Sequence, residues 1–162
     1  MKKVINTKEA IDVAKKINTT GKKIVLVGGI FDILHLGHIK FLEKAKEKGD
    51  VLFVLLESDE TAKKLKGAKR PINSQKVRAL VLAALEAVTY AVLLPKMKNN
   101  DDYDRLVTRL RPMVIAVSEN DKNIEHKKRQ AKIIGAKVIP VVPQVSNQST
   151  TRLVRIIEGE IL

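Results

Sequence analysis

The stretch Lys23-Ile24-Val25-Leu26-Val27-Gly28-Gly29 runs directly into Ile30-Phe31-Asp32-Ile33-Leu34-His35-Leu36-Gly37-His38. Its first half is a short aliphatic run closed by two glycines, which predicts a strand buried on both faces. Its second half opens a helix-period segment, Leu36 to Lys48, with Ile39, Phe41, Leu42 and Ala45 inward. In folds built from such units, ligands bind beyond the carboxyl ends of the strands. Gly28 and Gly29 carry no Cβ to hold a ligand away from the backbone. His35 and His38 lie three apart and share a face, at the helix end that favours anions. Two of the chain's three histidines therefore stand where a triphosphate could bind. A His-x-x-x-His zinc pair would be one residue longer, and no third ligand is evidently placed to complete it.

The alternation continues in both directions. Upstream, Asn6 to Asn18 reads as a helix with Ala10, Ile11, Val13, Ala14 and Ile17 on one face, and Asn6 with Glu9 forms a capping box. Downstream, Gly49 is expected to cap the Leu36 helix, and Val51 to Leu56 is a second strand. Glu57 to Asn73 reads as a polar, lysine-rich connection. Ser74 caps a helix running to about Ala87, with Val77, Leu80, Val81, Ala84 and Leu85 as its buried stripe. Then come a strand over Tyr90 to Leu94, a helix over Asp101 to Leu110, a strand over Met113 to Val117, and a helix over Ile124 to Ile134. Lys137 to Val142 is the fifth strand and Ser149 to Ile157 the last helix. The expectation is a single doubly wound α/β domain over 1–162, Rossmann-like, with a mostly parallel five-stranded sheet and the helix of residues 1–20 packed on it.

Composition limits the function classes. With 162 residues and 44% hydrophobic content, one core is expected, and the three Phe, two Tyr and absent Trp make it aliphatic. No cysteine means no disulfide and no thiolate metal site, which fits a cytoplasmic protein. No apolar run approaches the roughly 20 residues that span a bilayer, and none behind Met1-Lys2-Lys3-Val4 resembles a signal peptide. A net charge of +13 favours polyanionic partners. The scarcity of stacking aromatics argues against nucleic acid as that partner.

Gly29-x-Phe31-Asp32 running into His35-Leu36-Gly37-His38 resembles the HxGH signature of the nucleotidylyltransferase superfamily. That superfamily includes glycerol-3-phosphate cytidylyltransferase, pantetheine-phosphate adenylyltransferase, FAD synthases and ADP-heptose synthases. Further stretches are most similar to the last group. Ser58-Asp59 resembles its VNSD segment, and Lys64-Leu65-Lys66-Gly67 through Arg70-Pro71-Ile72-Asn73 resembles RLKGxxRPVN. Arg78 with Val81-Leu82-Ala83-Ala84-Leu85-Glu86-Ala87-Val88 is similar to QR…VLGALEAV, and Ser149-Thr150-Thr151 to the STT before the last helix.

The resemblance implies an in-line displacement at the α-phosphate of a nucleoside triphosphate by a small phosphorylated acceptor, with Mg2+ accompanying the nucleotide and no protein side chains assigned to the metal. His35, His38, Lys66 and Arg78 are the implied catalytic residues. Gly28, Gly29, Ile30, Phe31, Gly37, Val117, Asn120, Ser149, Thr150 and Thr151 are implied to bind the nucleotide. Asp32, Ser58, Asp59 and Arg70 are implied to meet the substrate. Relatives are often homodimers, which suggests the same here.

Residues 111–121, Arg111-Pro112-Met113-Val114-Ile115-Ala116-Val117-Ser118-Glu119-Asn120-Asp121, depart from the PDxLVKGxDY of ADP-heptose synthases. Gln144-Val145-Ser146-Asn147-Gln148 lacks the arginine of the cytidylyltransferase motif RTEGISTT, which favours ATP over CTP. The expected reaction is transfer of AMP to a sugar or polyol phosphate. FAD synthesis, glycerol-3-phosphate cytidylyl transfer and non-catalytic nucleic-acid binding are the alternatives.

Overall fold

The computed structural model describes residues 2–142 and 150–157. Six strands form one parallel sheet: β1 (Val4–Asn6), β2 (Ile24–Gly29), β3 (Val51–Leu56), β4 (Tyr90–Leu93), β5 (Val114–Ser118) and β6 (Lys137–Val142). Their order across the sheet is β1-β4-β3-β2-β5-β6. The helices are α1 (Thr7–Asn18), α2 (Leu36–Lys46), α3 (Asp59–Lys66), α4 (Gln75–Ala83), α5 (Asn100–Leu110), α6 (Ile124–Ile134) and α7 (Thr150–Ile157). This is the expected doubly wound α/β architecture with one strand more than predicted. Val4–Asn6 pairs in parallel with β4 at the sheet edge, Ile5 opposite Val92. Three residues are too few to show a period, so β1 was hidden in the approach to α1.

Two aliphatic layers cover the sheet. Ala10, Ile11, Ala14, Leu106, Val107, Leu110 and Ala131, from α1, α5 and α6, pack on one face with Ile24, Phe53 and Ile115. Leu42, Ala45, Ala79 and Leu82, from α2 and α4, pack on the other with Val25, Leu52, Val54 and Ala116. Every residue of β3 is buried, so its side chains are apolar throughout. The helix following β2 lies on one face and that following β5 on the other, while the two strands are neighbours. A crevice therefore opens between their carboxyl ends.

The local signals mostly hold. Asn6 caps α1 in a full capping box with Glu9, and Ser74 Oγ accepts from Val77 N at the start of α4. Gly49 has another role than the expected helix cap. The cap of α2 is Glu47, and a Cβ on Gly49 would stand 2.7 Å from Val25 Cγ2 and 2.8 Å from Lys23 O. The residue is glycine because the chain passes tightly against the start of β2. Within the polar, lysine-rich connection lies a helix not singled out from the sequence, α3, capped by Ser58. It buries only Ala62, so it has no apolar stripe to announce it.

Helix α4 ends at Ala83 rather than about Ala87, and the stripe expected to anchor it points outward except at Leu85, which packs on the core. Val77, Leu80 and Val81 are 44%, 57% and 45% exposed, whereas Arg78, Ala79 and Leu82 are buried. The cause is Arg78. Its side chain is aimed into the protein, donating to Asn73 O at 3.0 Å, to Glu57 O at 2.9 Å, to Asp59 Oδ1 at 2.8 Å and to Ile30 O. Seating that guanidinium rolls the helix so that its aliphatic row faces solvent.

The loop joining α3 to α4 is held by a second buried ion. Asp32 accepts from Arg70 Nε at 2.7 Å, Ile72 N at 2.9 Å and Asn73 N at 2.9 Å. Burial pushes the Asp32 carboxyl up, but the two backbone donors and Arg70 outweigh it and hold it below the usual range. Removing one partner of such a pair leaves an uncompensated buried charge. Asp32→Ala is thus expected to cost about 3–5 kcal/mol, seen as a lower urea midpoint at unchanged slope. A loss below about 1 kcal/mol would show that the loop does not depend on the pair.

Candidate functional site

The crevice is a cavity of 890 Å³ at the carboxyl ends of the strands. One wall is built by the motif at the end of β2. Phe31 takes a left-handed backbone, φ 47°, which a bulky residue rarely adopts. That turn lays its ring back over Gly29, where a Cβ would stand 2.8 Å from Phe31 Cε2. The glycine expected to admit a ligand thus first admits Phe31. The Phe31 ring meets His38 at 5.3 Å between centroids, and His38 stacks on His35 at 3.9 Å and 27°.

The start of α2 is left uncovered. His35 occupies its N-cap position but makes no side-chain capping bond, and the first turn holds no acidic residue. By contrast α1, α3 and α5 carry a side-chain cap and first-turn acids. The positive end of α2 therefore meets the cavity at His35 and His38 with no side-chain cap and no acidic residue of its own first turn to offset it.

Both imidazoles are held neutral. Burial lowers His35. Burial lowers His38 to about 4, helped by the neighbouring His35 charge, against a weaker upward pull from the Ile33 carbonyl. His35 Nδ1 and His38 Nδ1 are buried with no hydrogen-bond partner. Orphaned polar atoms in a cavity wall cost stability unless a ligand completes them. Thr150 Oγ1 donates to Ile33 O at 3.1 Å, which ties the start of α7 to the motif loop.

The structure brings together many of the residues named from sequence. Gly28, Gly29, Ile30, Phe31, Asp32, His35, His38, Lys66, Arg70, Thr150 and Thr151 line the cavity. Others serve the scaffold. Arg78 and Asp59 are paired with each other, and Ser58 is a buried cap. Asp32 and Arg70 spend their charges on each other. Val117 is a fully buried core residue. Gly37 and Asn120 are not among the lining residues. Ser149 lies outside the described residues.

Residues not singled out from sequence complete the opposite wall. Glu57 at the tip of β3, Tyr103 on α5, and Asp121 and Lys127 beside and on α6 all line the cavity, with Lys64, Lys96 and Lys98 at its rim. Their only sequence signal was position, since a carboxylate or lysine just past a strand's carboxyl end is placed to meet ligand.

Residues 26–156 match the cytidylyltransferase-like family. The bifunctional protein HldE of a Nitratiruptor species is 41% identical over 145 residues, covering 88% of this chain and 29% of the relative. HldE of Wolinella succinogenes is 38% identical over 150 residues, 91% of this chain and again 29% of the relative. The chain thus spans about three tenths of the length of these curated relatives. A lipopolysaccharide core biosynthesis protein from Thermoplasma volcanium superimposes with a TM-score of 0.63 at 29% identity, over 75% of this chain and 98% of that one. The fold alone is shared with the pantoate-beta-alanine ligase of Francisella tularensis, TM-score 0.67 at 19% identity, 99% of this chain and 79% of that one.

The neutral histidine pair has a consequence for stability. Folded His38 titrates near 4, against an ordinary 6.5. Between those values the unfolded chain binds the extra proton, so stability is full above about pH 6.5 and falls as the pH drops toward 4. The thermal midpoint should follow that course, and the slope should be shallower in His38→Asn. An unchanged slope in the variant would mean that the ring is not held neutral. By its sequence match and its fold, the chain belongs to the cytidylyltransferase-like family of nucleotidylyltransferases.

Proposed function

We propose that this chain transfers a nucleoside monophosphate, AMP from ATP, to a phosphorylated sugar or polyol and releases pyrophosphate, in the manner of the nucleotidylyltransferase domain of ADP-heptose synthases. The observation that carries this reading is the uncapped start of α2 with two neutral, stacked histidines, whose buried Nδ1 atoms have no hydrogen-bond partner, in a cavity that lysines also line. In the proposed step a phosphate oxygen of the acceptor attacks the α-phosphorus, the bond from that phosphorus to the bridging oxygen breaks, and pyrophosphate leaves. The attacking oxygen is already ionised, so no general base is required. Catalysis then consists of positioning and of stabilising charge as it develops. A neutral imidazole has one N–H to give: His35 would give its own to the triphosphate, and His38 would exchange the Ile33 carbonyl for a phosphate oxygen. The first-turn N–H groups of α2, Gly37 among them, would add dipolar donors. Lys66, exposed at the end of α3, would neutralise the outer phosphates. Mg2+ would arrive with the nucleotide and supply charge neutralisation to its phosphates. Among the described residues no group of three His, Cys, Asp or Glu side chains could hold a metal, and the proposal assigns it no protein cage.

Arg78 enters this scheme as a positioning residue. It holds the carbonyls of Ile30 and Glu57, at the tips of β2 and β3, where the phosphates would lie between them. The exposed row Val77, Leu80 and Val81 supports the further proposal of a homodimer, since a contiguous apolar face on a helix is commonly covered by a partner. No helix among the described residues is long and apolar enough to cross a membrane, and the reaction proposed uses substrates of the cytoplasm.

The test is pyrophosphate release with ATP and with CTP, each with Mg2+, against heptose 1-phosphate, other sugar 1-phosphates, glycerol 3-phosphate, FMN and phosphopantetheine. Release with ATP and a sugar phosphate is expected. His38→Ala should lower it by roughly 10²- to 10³-fold while leaving the fold intact, the usual cost of losing one preorganised donor. Near-normal turnover in that variant would remove the histidines from the site. Release confined to CTP with glycerol 3-phosphate would replace the donor and acceptor named here.

A further inference from the structure

Glu57 has no part in the transfer chemistry, yet its carboxylate is placed with care. Its peptide N–H donates to Gly29 O at 3.0 Å, so the residue sits beside the glycine pair. Its side chain meets Tyr103 of α5, on the face of the sheet opposite to α2. Tyr103 Oη lies 3.0 Å from each carboxylate oxygen. Burial pushes Glu57 up, against the Tyr103 hydrogen bond and the charges of Arg78 and Lys127. Burial and Glu57 together push the Tyr103 hydroxyl up, so it remains a donor. A carboxylate has about four acceptor positions and Tyr103 has one hydrogen to give, so Tyr103 fills only part of the capacity of a residue that lines the cavity. No ion pair holds Glu57 among the described residues. Close by, Lys127 Nζ and Asp121 Oδ2 form a pair at 2.5 Å, with 21% and 15% of the two side chains exposed. All four residues line the same cavity as the histidines.

We propose that Glu57 and Tyr103, with the Lys127–Asp121 pair beside them, form the subsite that reads the hydroxyl groups of the acceptor. This rests on the transferase reading and gives it a specificity element on the wall opposite the histidines. The chemistry of the wall selects the class of ligand. A hydroxyl donates and accepts at once, so it is matched by a carboxylate together with a phenol and an ammonium. A phosphate is repelled by Glu57, which orients the acceptor's phosphate away from this wall and toward the histidines and Lys66. A flat aromatic acceptor would want a stacking partner, whereas what this wall offers is polar groups, the Tyr103 hydroxyl among them. A polyol carrying a single phosphate satisfies both ends of the cavity.

The experiment is calorimetric titration of heptose 1-phosphate into the protein saturated with a non-hydrolysable ATP analogue and Mg2+, with the analogue titrated separately. Glu57→Gln keeps size and shape but loses the charge on the acceptor oxygens, and Tyr103→Phe removes one hydroxyl. The expected result is a loss of heptose 1-phosphate affinity of about tenfold or more in Glu57→Gln, and of about three- to tenfold in Tyr103→Phe, at unchanged analogue affinity and thermal midpoint. Inorganic phosphate, which carries no alcohol group, should bind more weakly than heptose 1-phosphate to the unaltered protein and should be insensitive to Glu57→Gln. Unaltered heptose 1-phosphate affinity in Glu57→Gln would overturn the subsite, as would loss of analogue binding in parallel. An unaltered protein that binds the analogue but no sugar phosphate also overturns it, leaving the nucleotide site standing. One that binds neither removes the transferase reading itself.

Discussion

The guanidinium of Arg78 is the fastening on which the rest of the site depends. It is 1% exposed and reaches four acceptors on three separate segments: Ile30 after β2, Glu57 and Asp59 after β3, and Asn73 before α4. A buried cation is tolerable only when its donors are filled, and here carbonyls fill them with one carboxylate to balance the charge. Those carbonyls belong to the strand tips that bound the crevice. Arg78 therefore ties together the residues that follow the paired strands β2 and β3, at the end where ligand would enter. The Asp32–Arg70 pair fixes the same loop from its other side, using both carboxylate oxygens.

The groups that build the scaffold and the groups that face the cavity are treated oppositely. Arg78, Arg70, Asp32 and Asp59 have their charges matched within the protein. The uncapped start of α2 and both histidine Nδ1 atoms are left unmatched. Phe31 adds a left-handed backbone that a phenylalanine adopts only at some cost, of order 1–2 kcal/mol. These unfavourable features cluster along about ten residues, from Gly29 to His38. Such clustering is expected where a site is preorganised for charge that the ligand supplies. The excess of positive charge in the whole chain adds a long-range field that draws an anionic nucleotide toward it.

Much of this was legible in the sequence because the signals were redundant. β2, β3 and β5 are aliphatic runs, α1 carries a complete capping box, and the glycine pair leads straight into two histidines. Periodicity misled at α4, where the aliphatic row Val77, Leu80 and Val81 looked like a core stripe. One arginine with four partners outweighs that row, and no pattern rule anticipates a buried guanidinium. The same blind spot hid the roles of Asp32, Asp59 and Arg70. A charged residue inside a resembling motif suggests ligand contact, while its actual partner, 38 positions away for Asp32 and Arg70, is visible only in three dimensions. β1 and α3 escaped because a three-residue strand and a helix burying only one alanine carry little pattern. Glu57 and Tyr103 meet across 46 positions, so their pairing had no local trace.

The central claim is that His35 and His38 wait as neutral rings, each with an unmatched Nδ1, for a phosphate. Proton and nitrogen magnetic resonance of the two imidazoles, followed over pH with and without a non-hydrolysable ATP analogue and Mg2+, tests it most directly. The account predicts that without nucleotide His38 titrates near 4 with His35 also below its ordinary value, and that nucleotide moves both ring signals and raises both titrations by favouring the charged form. Rings that titrate near 6.5 in the free protein, or that do not respond to the nucleotide, would contradict it.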